Sequence, residues 1–121
     1  MAVQNYRQLI AWQKSMESVT QIYNLTNDFP KTEIYGLTSQ IRRAAVSIPS
    51  NIAEGQGRDS TKEFLHHLSI AYGSLMELET QLLIAESLTY LPAETAKFTL
   101  EKTAETGRLI NGLSRSLKTK I

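Results

Sequence analysis

The residues with the clearest potential for chemistry are Glu63 and His66, which form a Glu-x-x-His motif. In di-iron helical bundles such a motif supplies two metal ligands from one helix, but the site also needs a second motif and two further glutamates. The chain contains a single Glu-x-x-His, and the adjacent His67 lies about 100° away around a helix, so it cannot share a metal ion with His66. We therefore predict a histidine pair at the surface or at an interface, and no metal site.

The sequence offers little support for a nucleophilic enzyme. It contains no cysteine, which excludes a thiol nucleophile, a thiolate metal site and a disulfide. Its serines have no recognisable support from histidine and aspartate, although spacing leaves a spatial triad open. Gly55 and Gly57 form a GxG, as phosphate-binding loops do, but no strand pattern precedes it and no Gly-Lys-Ser or Gly-Lys-Thr follows. Glycines that end a helix are therefore the better interpretation. We predict a protein that is not an enzyme and has no cofactor.

Three polar residues of the second predicted helix could act together: Gln40, Asn51 and Glu54. They could form a pocket for a ligand or a partner peptide. Alternatively, they could join a hydrogen-bonded network with groups such as Lys14 or Glu79 that fixes the register of the helices. We favour the structural interpretation, because a pocket would usually gather more titratable groups in one place.

Four basic residues are candidates for phosphate contacts to nucleic acid: Arg42, Arg43, Arg58 and Lys62. Ion pairs between subunits, with the acidic third helix, are the alternative for the arginine pair. The formal net charge is only +1, yet segment 63–94 has five acidic residues and no basic one, and segment 106–121 has four basic residues and no acidic one. This distribution indicates either a basic surface or complementary faces in a bundle or between subunits, and the small net charge favours the second.

The spacing of apolar residues predicts four helices that position these groups, at about 6–26, 33–54, 60–88 and 92–117. No strand pattern is visible and all three connections are short, so successive helices should be antiparallel neighbours. The predicted fold is all-α: an up-down-up-down antiparallel four-helix bundle with a proline-kinked second helix.

The first helix should carry an apolar stripe at steps of three and four, with Lys14, Glu17 and Ser18 off the stripe. We expect Asn27 to end this helix in a left-handed conformation and Thr32 to cap the next one. The residues of the stripe are Leu9, Trp12, Met16, Val19 and Tyr23.

The second helix contains Pro49 within its apolar stripe. Proline removes a backbone hydrogen bond and its ring clashes with the preceding turn, so we predict a bend that carries Asn51 and Glu54 toward helices one and three. We expect Gly55 and Gly57 to end the helix, since glycine accepts the positive φ of a C-cap. The stripe consists of Leu37, Ile41, Ala44, Ala45, Ile48 and Ile52.

The third helix should begin with a capping box of Ser60 and Glu63. A second row, Leu65, Tyr72 and Glu79, flanks its heptad and predicts more apolar surface than one monomer can bury. The heptad positions are Phe64, Leu68, Ala71, Leu75, Leu78, Leu82 and Ala85. In the fourth helix, the stripe contains small residues that would let a neighbour approach closely: Ala96, Leu100, Thr103, Gly107 and Ile110.

The 121 residues suffice for one domain, 1–121, with its own core. The N-terminus lacks the features of a secretory signal, and nowhere do 18 apolar residues run together. A cysteine-free chain of this kind is typical of a reducing compartment. We expect a cytoplasmic protein with no membrane partner.

Three segments carry a resemblance to a known family. They are Leu9–Lys14 (LIAWQK), Gln40–Gly55 (QIRRAAVSIPSNIAEG) and Leu68–Glu79 (LSIAYGSLMELE), together with Phe29-Pro30. The chain resembles the four-helix-bundle proteins encoded in intervening sequences of bacterial 23S ribosomal RNA genes, once labelled S23 ribosomal proteins. That family is similar to the accessory variability protein of diversity-generating retroelements, a basic ring of five subunits that works with a reverse transcriptase and nucleic acid. The resemblance implies a cytoplasmic pentameric ring without catalytic activity.

These observations lead to three functional hypotheses. The first is a non-enzymatic, self-assembling bundle whose surface recruits RNA, DNA or a nucleic-acid enzyme. The second is a purely protein-binding scaffold, and the third is a bundle that binds a small molecule or a metal. Binding that weakens with salt would separate the first from the second, and a stoichiometric metal or ligand in the purified protein would favour the third.

Overall fold

The computed structural model describes residues 5–120, so the prediction of one domain over 1–121 extends beyond the described residues at 1–4 and 121. Within that part of the chain there are four long α-helices and no strand, which confirms the all-α four-helix bundle. The helices are α1 (Ile10–Thr26), α2 (Leu37–Gln56), α3 (Thr61–Ser87) and α4 (Ala93–Lys118), with short 3-10 helices at Tyr6–Gln8 and Lys31–Glu33.

Each helix packs against two others: α2 against α1 and α3, and α4 against α3 and α1. The contacts between α2 and α3 run in opposite order along the two helices, because Ser47 meets Ser74 whereas Asn51 meets His67. Short connections join all four helices, as in the predicted bundle. Helix α2 continues through Pro49 to its end, and the predicted bend at this residue stays a prediction.

The core is formed mainly by the predicted stripes of α2 and α3. In α2 all the stripe positions except the half-buried Leu37 are buried, and in α3 all the heptad positions except the half-buried Phe64 are buried. Helix α4 contributes small residues to this core, as predicted. A Cβ on Gly107 would lie 3.1 Å from Leu75 Cδ2, so the glycine lets α3 and α4 pack closely.

The prediction for α1 is wrong about which face meets the core. Apart from the fully buried Ile22, the buried residues of α1 are small or polar: Ala11, Ser15, Ser18 and Thr26. Of the predicted stripe, Leu9 is buried in the core, just before α1 begins. The rest of the stripe is rotated outward, with Trp12 and Val19 half-buried at the edge of the core and Met16 and Tyr23 exposed. Small residues let α1 approach its neighbours, and the Ser15 hydroxyl is satisfied by donating to its own helix, at Trp12 O.

The glycine and cap predictions at the ends of α2 are also wrong in part. No glycine among residues 5–120 has a positive φ, and α2 runs past Gly55 to Gln56, with Gly57 as its C-cap at φ −76°. Helix α2 begins at Leu37 rather than Glu33, because Lys31–Glu33 forms a separate 3-10 turn and Thr32 caps nothing. The side chain of Glu33 caps α2 instead, since its Oε1 accepts a hydrogen bond from Leu37 N at 3.0 Å.

Two further caps differ from expectation. Asn27 ends α1 with φ −59°, in the right-handed region, so it is not a left-handed terminator. At the start of α3, the Ser60 hydroxyl accepts from Glu63 N at 3.2 Å, as predicted for a capping box. The reciprocal half of the box is missing, because the Glu63 carboxylate instead lies 3.9 Å from Arg58 Nη1.

Candidate interaction surfaces

Arg42, a predicted phosphate contact, is engaged within the chain. Its Nε donates to Thr26 Oγ1 at 2.8 Å, and its Nη2 donates to Tyr23 O at 3.4 Å and to Asn27 Oδ1 at 3.2 Å. Its guanidinium also lies over the Tyr23 ring, 4.6 Å from the centroid. A cation that donates to the last carbonyls of a helix complements the negative end of its dipole. Arg42 therefore caps the C-terminus of α1 and ties it to α2.

Arg58 is also engaged within the chain. Its Nη2 donates to Glu54 Oε2 at 2.7 Å, and its Nη1 lies 3.9 Å from Glu63 Oε1. The Arg58 hydrogen bond and, secondarily, the charge of His67 lower the pKa of Glu54. By contacting both Glu54 and Glu63 at the surface, Arg58 joins the end of α2 to the start of α3.

Arg43 and Lys62 complete the predicted set, and both are exposed. Neither makes an ion pair or a side-chain hydrogen bond with any residue of the range 5–120. Of the four basic candidates, these two are therefore the ones whose charge is available to an external partner.

Asn51 lies at the centre of a polar cluster between α2 and α3. Its Nδ2 donates to Ser47 O at 2.9 Å and to Ser47 Oγ at 3.1 Å, while its Oδ1 lies 3.2 Å from His67 Nδ1. The Ser47 and Ser74 hydroxyls are 2.8 Å apart. Because Nδ2 is the donor in both Ser47 contacts, Oδ1 is left as an acceptor, which favours the His67 tautomer protonated at Nδ1.

The partners predicted for this cluster are wrong. Lys14 instead lies near Glu17 and Glu105, at 3.8 and 3.9 Å, and Glu79 accepts from Thr103 Oγ1 at 2.8 Å. The actual partner is His67, whose side chain is 12% exposed and whose Nε2 lies 3.9 Å from Glu54 Oε2.

The structure places Gln40 apart from Asn51 and Glu54. It is exposed and lies eleven residues before Asn51 on the same helix, which is about 16 Å along the axis. Helices α2 and α3 approach each other closely near Gly55, where a Cβ on this residue would lie 2.6 Å from His67 Cβ. Asn51 and Glu54 are thus brought together by His67, and Gln40 is not.

The Glu-x-x-His motif gathers no metal-binding group. His66 is exposed and stacks edge-on against His67, with ring centroids 5.7 Å apart, while Glu63 faces Arg58. Across residues 5–120, no group of three or more His, Cys, Asp or Glu side chains is arranged to hold a metal ion.

A link that sequence reasoning missed joins Glu33 to Tyr90, 57 positions apart. Glu33 Oε2 accepts from the Tyr90 hydroxyl at 2.7 Å, while Oε1 accepts from Leu37 N. The hydrogen bond from Leu37 N and, to a smaller extent, the one from the Tyr90 hydroxyl lower the pKa of Glu33. The hydrogen bond to the Glu33 carboxylate in turn raises the pKa of Tyr90. The sequence contains one feature that could have indicated part of this arrangement: Glu33 stands four residues before Leu37, where its side chain can cap α2.

The outward stripe of α1 lines an apolar groove with α2, which we call the α1–α2 groove. It has a volume of about 540 Å³ and is lined by Tyr6, Trp12, Met16, Val19, Val46, Pro49, Ser50, Ala53 and Glu54. At Val46 it meets a second depression, of about 460 Å³, that contains Tyr23, Ile34, Tyr35, Arg42 and Arg43. Tyr35 is 95% exposed, and no element within residues 5–120 covers the apolar surface that extends along this side of the bundle.

The row Leu65, Tyr72 and Glu79 does not supply the exposed apolar surface that the sequence predicted. All three residues are half-buried, Tyr72 packs against the core, and Glu79 contacts Thr103 of α4. The exposed apolar residues of α3 lie elsewhere: they include Ile70, Leu83 and Ile84, and the C-cap residue Leu88 adjoins them. None of the helices within residues 5–120 combines the length and the apolar character needed to cross a membrane.

Comparisons with known proteins agree with this architecture. The crystal structure of a protein of unknown function from the S23 ribosomal protein family of Bacteroides thetaiotaomicron superposes with a TM-score of 0.81 and is 24% identical in sequence. The match covers 88% of this chain and 96% of that one, and it shows a shared fold. No curated protein matches the chain. The family model described as the 23S rRNA-intervening sequence protein matches residues 7–112, so the chain belongs to the family of 23S rRNA-intervening sequence proteins.

Proposed function

We propose that the protein is a non-enzymatic cytoplasmic scaffold that assembles with copies of itself into a closed ring, and that the ring recruits nucleic acid or a nucleic-acid enzyme. The observation that carries the proposal is the outward rotation of the α1 stripe. Trp12, Met16 and Val19 line the α1–α2 groove instead of being fully buried in the core. An exposed apolar face of this kind is typical of a protein interface.

Self-assembly is tested by the native mass of the protein at micromolar concentration, measured by sedimentation velocity. We expect an oligomer with a single subunit number, as closed symmetry requires. Met16→Glu should shift the protein toward monomer, because it introduces a charge into the groove. Asn24→Glu, on the same helix at an exposed position that lines neither depression, is the matched control and should leave the mass unchanged. A monomeric parent protein would contradict the proposal.

Recruitment of nucleic acid is supported by exposed basic residues that make no ion pair with any residue of the range 5–120. These include Lys62 and the basic residues near the end of α4, namely Arg108, Arg115, Lys118 and Lys120, all exposed. Cations of this kind contact phosphates without reading base sequence. The family description makes segments of 23S rRNA the first RNA to test.

The binding test measures the affinity for such an RNA at several salt concentrations. Each phosphate contact contributes about 0.7 to 0.9 to the slope of log K against log salt, so the change Lys62→Ala with Lys118→Ala, both outside the proposed contact between subunits, should flatten the slope by about 1.5. Arg42→Ala is the comparison, because Arg42 is engaged within the chain and should affect the slope less. An absence of salt-dependent binding would favour the second hypothesis, a scaffold that binds only protein. A stoichiometric metal or small molecule in the purified protein would favour the third.

A further inference from the structure

The outer face of α3 carries a second exposed surface, which we call the α3 strip. Its residues recur at steps that place them on one face of the helix: Ile70, Gly73, Glu77, Ile84 and Leu88. The apolar members are 40–47% exposed. Ile70 stands three residues after His67 and four before Ser74, which both contact α2, so the strip lies on the α2 side of α3.

Gly73 is the unusual member of the strip. Glycine is one of the poorest helix formers, and here it stands in the middle of a 27-residue helix. A Cβ at this position would meet no atom within 4 Å, so close packing inside the monomer does not account for the glycine. It differs in this respect from Gly55 and Gly107, which lie against neighbouring helices. A notch at Gly73 instead leaves room for a side chain that comes from outside the monomer.

The groove and the strip match level by level along the bundle axis. The Ser47 contact with Ser74 places Val46 of the groove close to the level of Gly73, because each helix rises about 1.5 Å per residue. Because α2 and α3 are antiparallel, one turn before Val46 in α2 lies at the same level as one turn after Gly73 in α3. Arg43 and Glu77 occupy this level. One turn after Val46 in α2 and one turn before Gly73 in α3, Pro49 and Ile70 lie at a second common level.

The charges at one of these levels are complementary. Arg43 makes no ion pair with any residue of the range 5–120. Glu77 is exposed and accepts only a long hydrogen bond, 3.5 Å, from Gln81 Nε2 of its own helix. Two subunits placed at the same height would therefore bring an unpaired cation against an unpaired anion, with apolar residues on either side.

From this match we infer that the occupant of the α1–α2 groove is the α3 strip of a second copy of the chain, with Val46 of one subunit facing the notch at Gly73 of the next. The inference rests on the proposed self-assembly and names its surfaces. The contact joins two different faces, so it must close into a ring or continue as a filament. The faces lie on adjacent sides of a four-helix bundle, about 90° apart, which is near the angle of about 90° to 108° that rings of four or five subunits require.

Charge exchange tests the pairing of Arg43 with Glu77. Arg43→Glu and Glu77→Lys should each weaken self-association by about tenfold or more, because each places like charges opposite one another. The double variant should regain the parent affinity, measured by sedimentation across a concentration series. If the double variant associates no better than the single ones while the parent assembles, the pairing is wrong although self-assembly stands.

The notch is tested with a matched pair of glycine variants. Gly73→Gln should abolish assembly, since a long side chain would fill the space that Val46 requires. Gly112→Gln is the control, because its Cβ would meet only the flexible Arg115 side chain, at 3.9 Å, and Gly112 lies outside both surfaces. Thermal unfolding of the two variants shows whether each monomer remains folded. A folded Gly73→Gln protein with the parent mass would overturn the inference.

Cross-linking distinguishes the arrangements directly, since the chain has no cysteine of its own. A protein with Val46→Cys and Gly73→Cys should form a ladder of disulfide-linked species up to the full ring when a mild oxidant is added. Neither single variant should form a linked dimer. A dimer from Val46→Cys alone would show that two grooves face each other and would overturn the inference, and the absence of a ladder from an assembled double variant would do the same.

Discussion

A Cβ on Gly55 would lie 2.6 Å from Cβ of His67, a separation that real side chains do not adopt, so α2 and α3 approach each other here only because residue 55 is glycine. Gly55→Ala should therefore destabilise the bundle. Overpacking costs about 1–3 kcal/mol, whereas the gain in helix propensity returns about 1 kcal/mol. The measurement is the melting temperature, which should fall by several degrees.

Gly57→Ala is the matched control for this prediction. Gly57 also lies at the end of α2 and has negative φ, but its Cβ would make ordinary contacts, the shortest at 3.5 Å to Ala53 O. Its melting temperature should match or exceed that of the parent. An equal response of the two variants would contradict the role of Gly55 in close packing.

Asn51 provides the second prediction. Asn51→Leu removes the partner of His67 Nδ1, while Ser47 Oγ keeps its contact with Ser74 Oγ, and an unsatisfied, mostly buried polar group costs about 1–3 kcal/mol. The bundle should remain folded, with a lower melting temperature and a less uniform assembly. Gln40→Leu, an exposed position on the same helix, should be within about 0.5 kcal/mol of the parent. Equal stabilities of both variants and the parent would show that the cluster is dispensable.

The sequence predicted the helices and most of the core because apolar spacing is strong in α2 and α3. It failed for α1, where both a large apolar stripe and a face of small residues recur at helical spacing. Burial of Ser15 and Ser18 depends on how closely neighbouring helices approach, and that information is not contained in the periodicity of α1. The exposed part of the stripe, Met16 and Tyr23, is apolar surface that an intermolecular contact could use.

The candidate site was less predictable, because its contacts connect distant residues. The basic set Arg42, Arg43, Arg58 and Lys62 was visible as residue types, but only the structure separates the engaged pair from the available pair. The sequence predicts that Gly55 ends α2, whereas in the structure Gly55 lies within α2 and allows close packing against α3. A glycine at a helix end predicts a cap, and its use in close packing depends on Phe64 and His67 of the next helix.

The third prediction separates the two adjacent arginines. Arg42→Ala removes hydrogen bonds to Thr26, Tyr23 and Asn27 and should lower stability by about 1–2 kcal/mol, because bonds from a charged donor are among the stronger ones. Arg43→Ala removes no ion pair or side-chain hydrogen bond to residues 5–120 and should change monomer stability by less than about 0.5 kcal/mol. Denaturant unfolding at a concentration below the assembly threshold measures both. A greater loss for Arg43→Ala than for Arg42→Ala would contradict the assignment.

The last prediction concerns the pH dependence of stability at Glu33. Hydrogen bonds from Leu37 N and the Tyr90 hydroxyl lower the pKa of Glu33 below its ordinary value of 4.5. A carboxylate with a depressed pKa in the folded state stabilises the protein above its unfolded pKa, and this contribution is lost as the pH falls through the folded pKa. Melting temperatures measured between pH 3 and 7 should therefore decline on acidification below about 4.5, and Glu33→Gln should show a shallower decline. Tyr90→Phe should lie between the two, because it removes one of the two donors and leaves Leu37 N in place. Identical pH profiles for the parent and Glu33→Gln would show that this carboxylate does not stabilise the folded state.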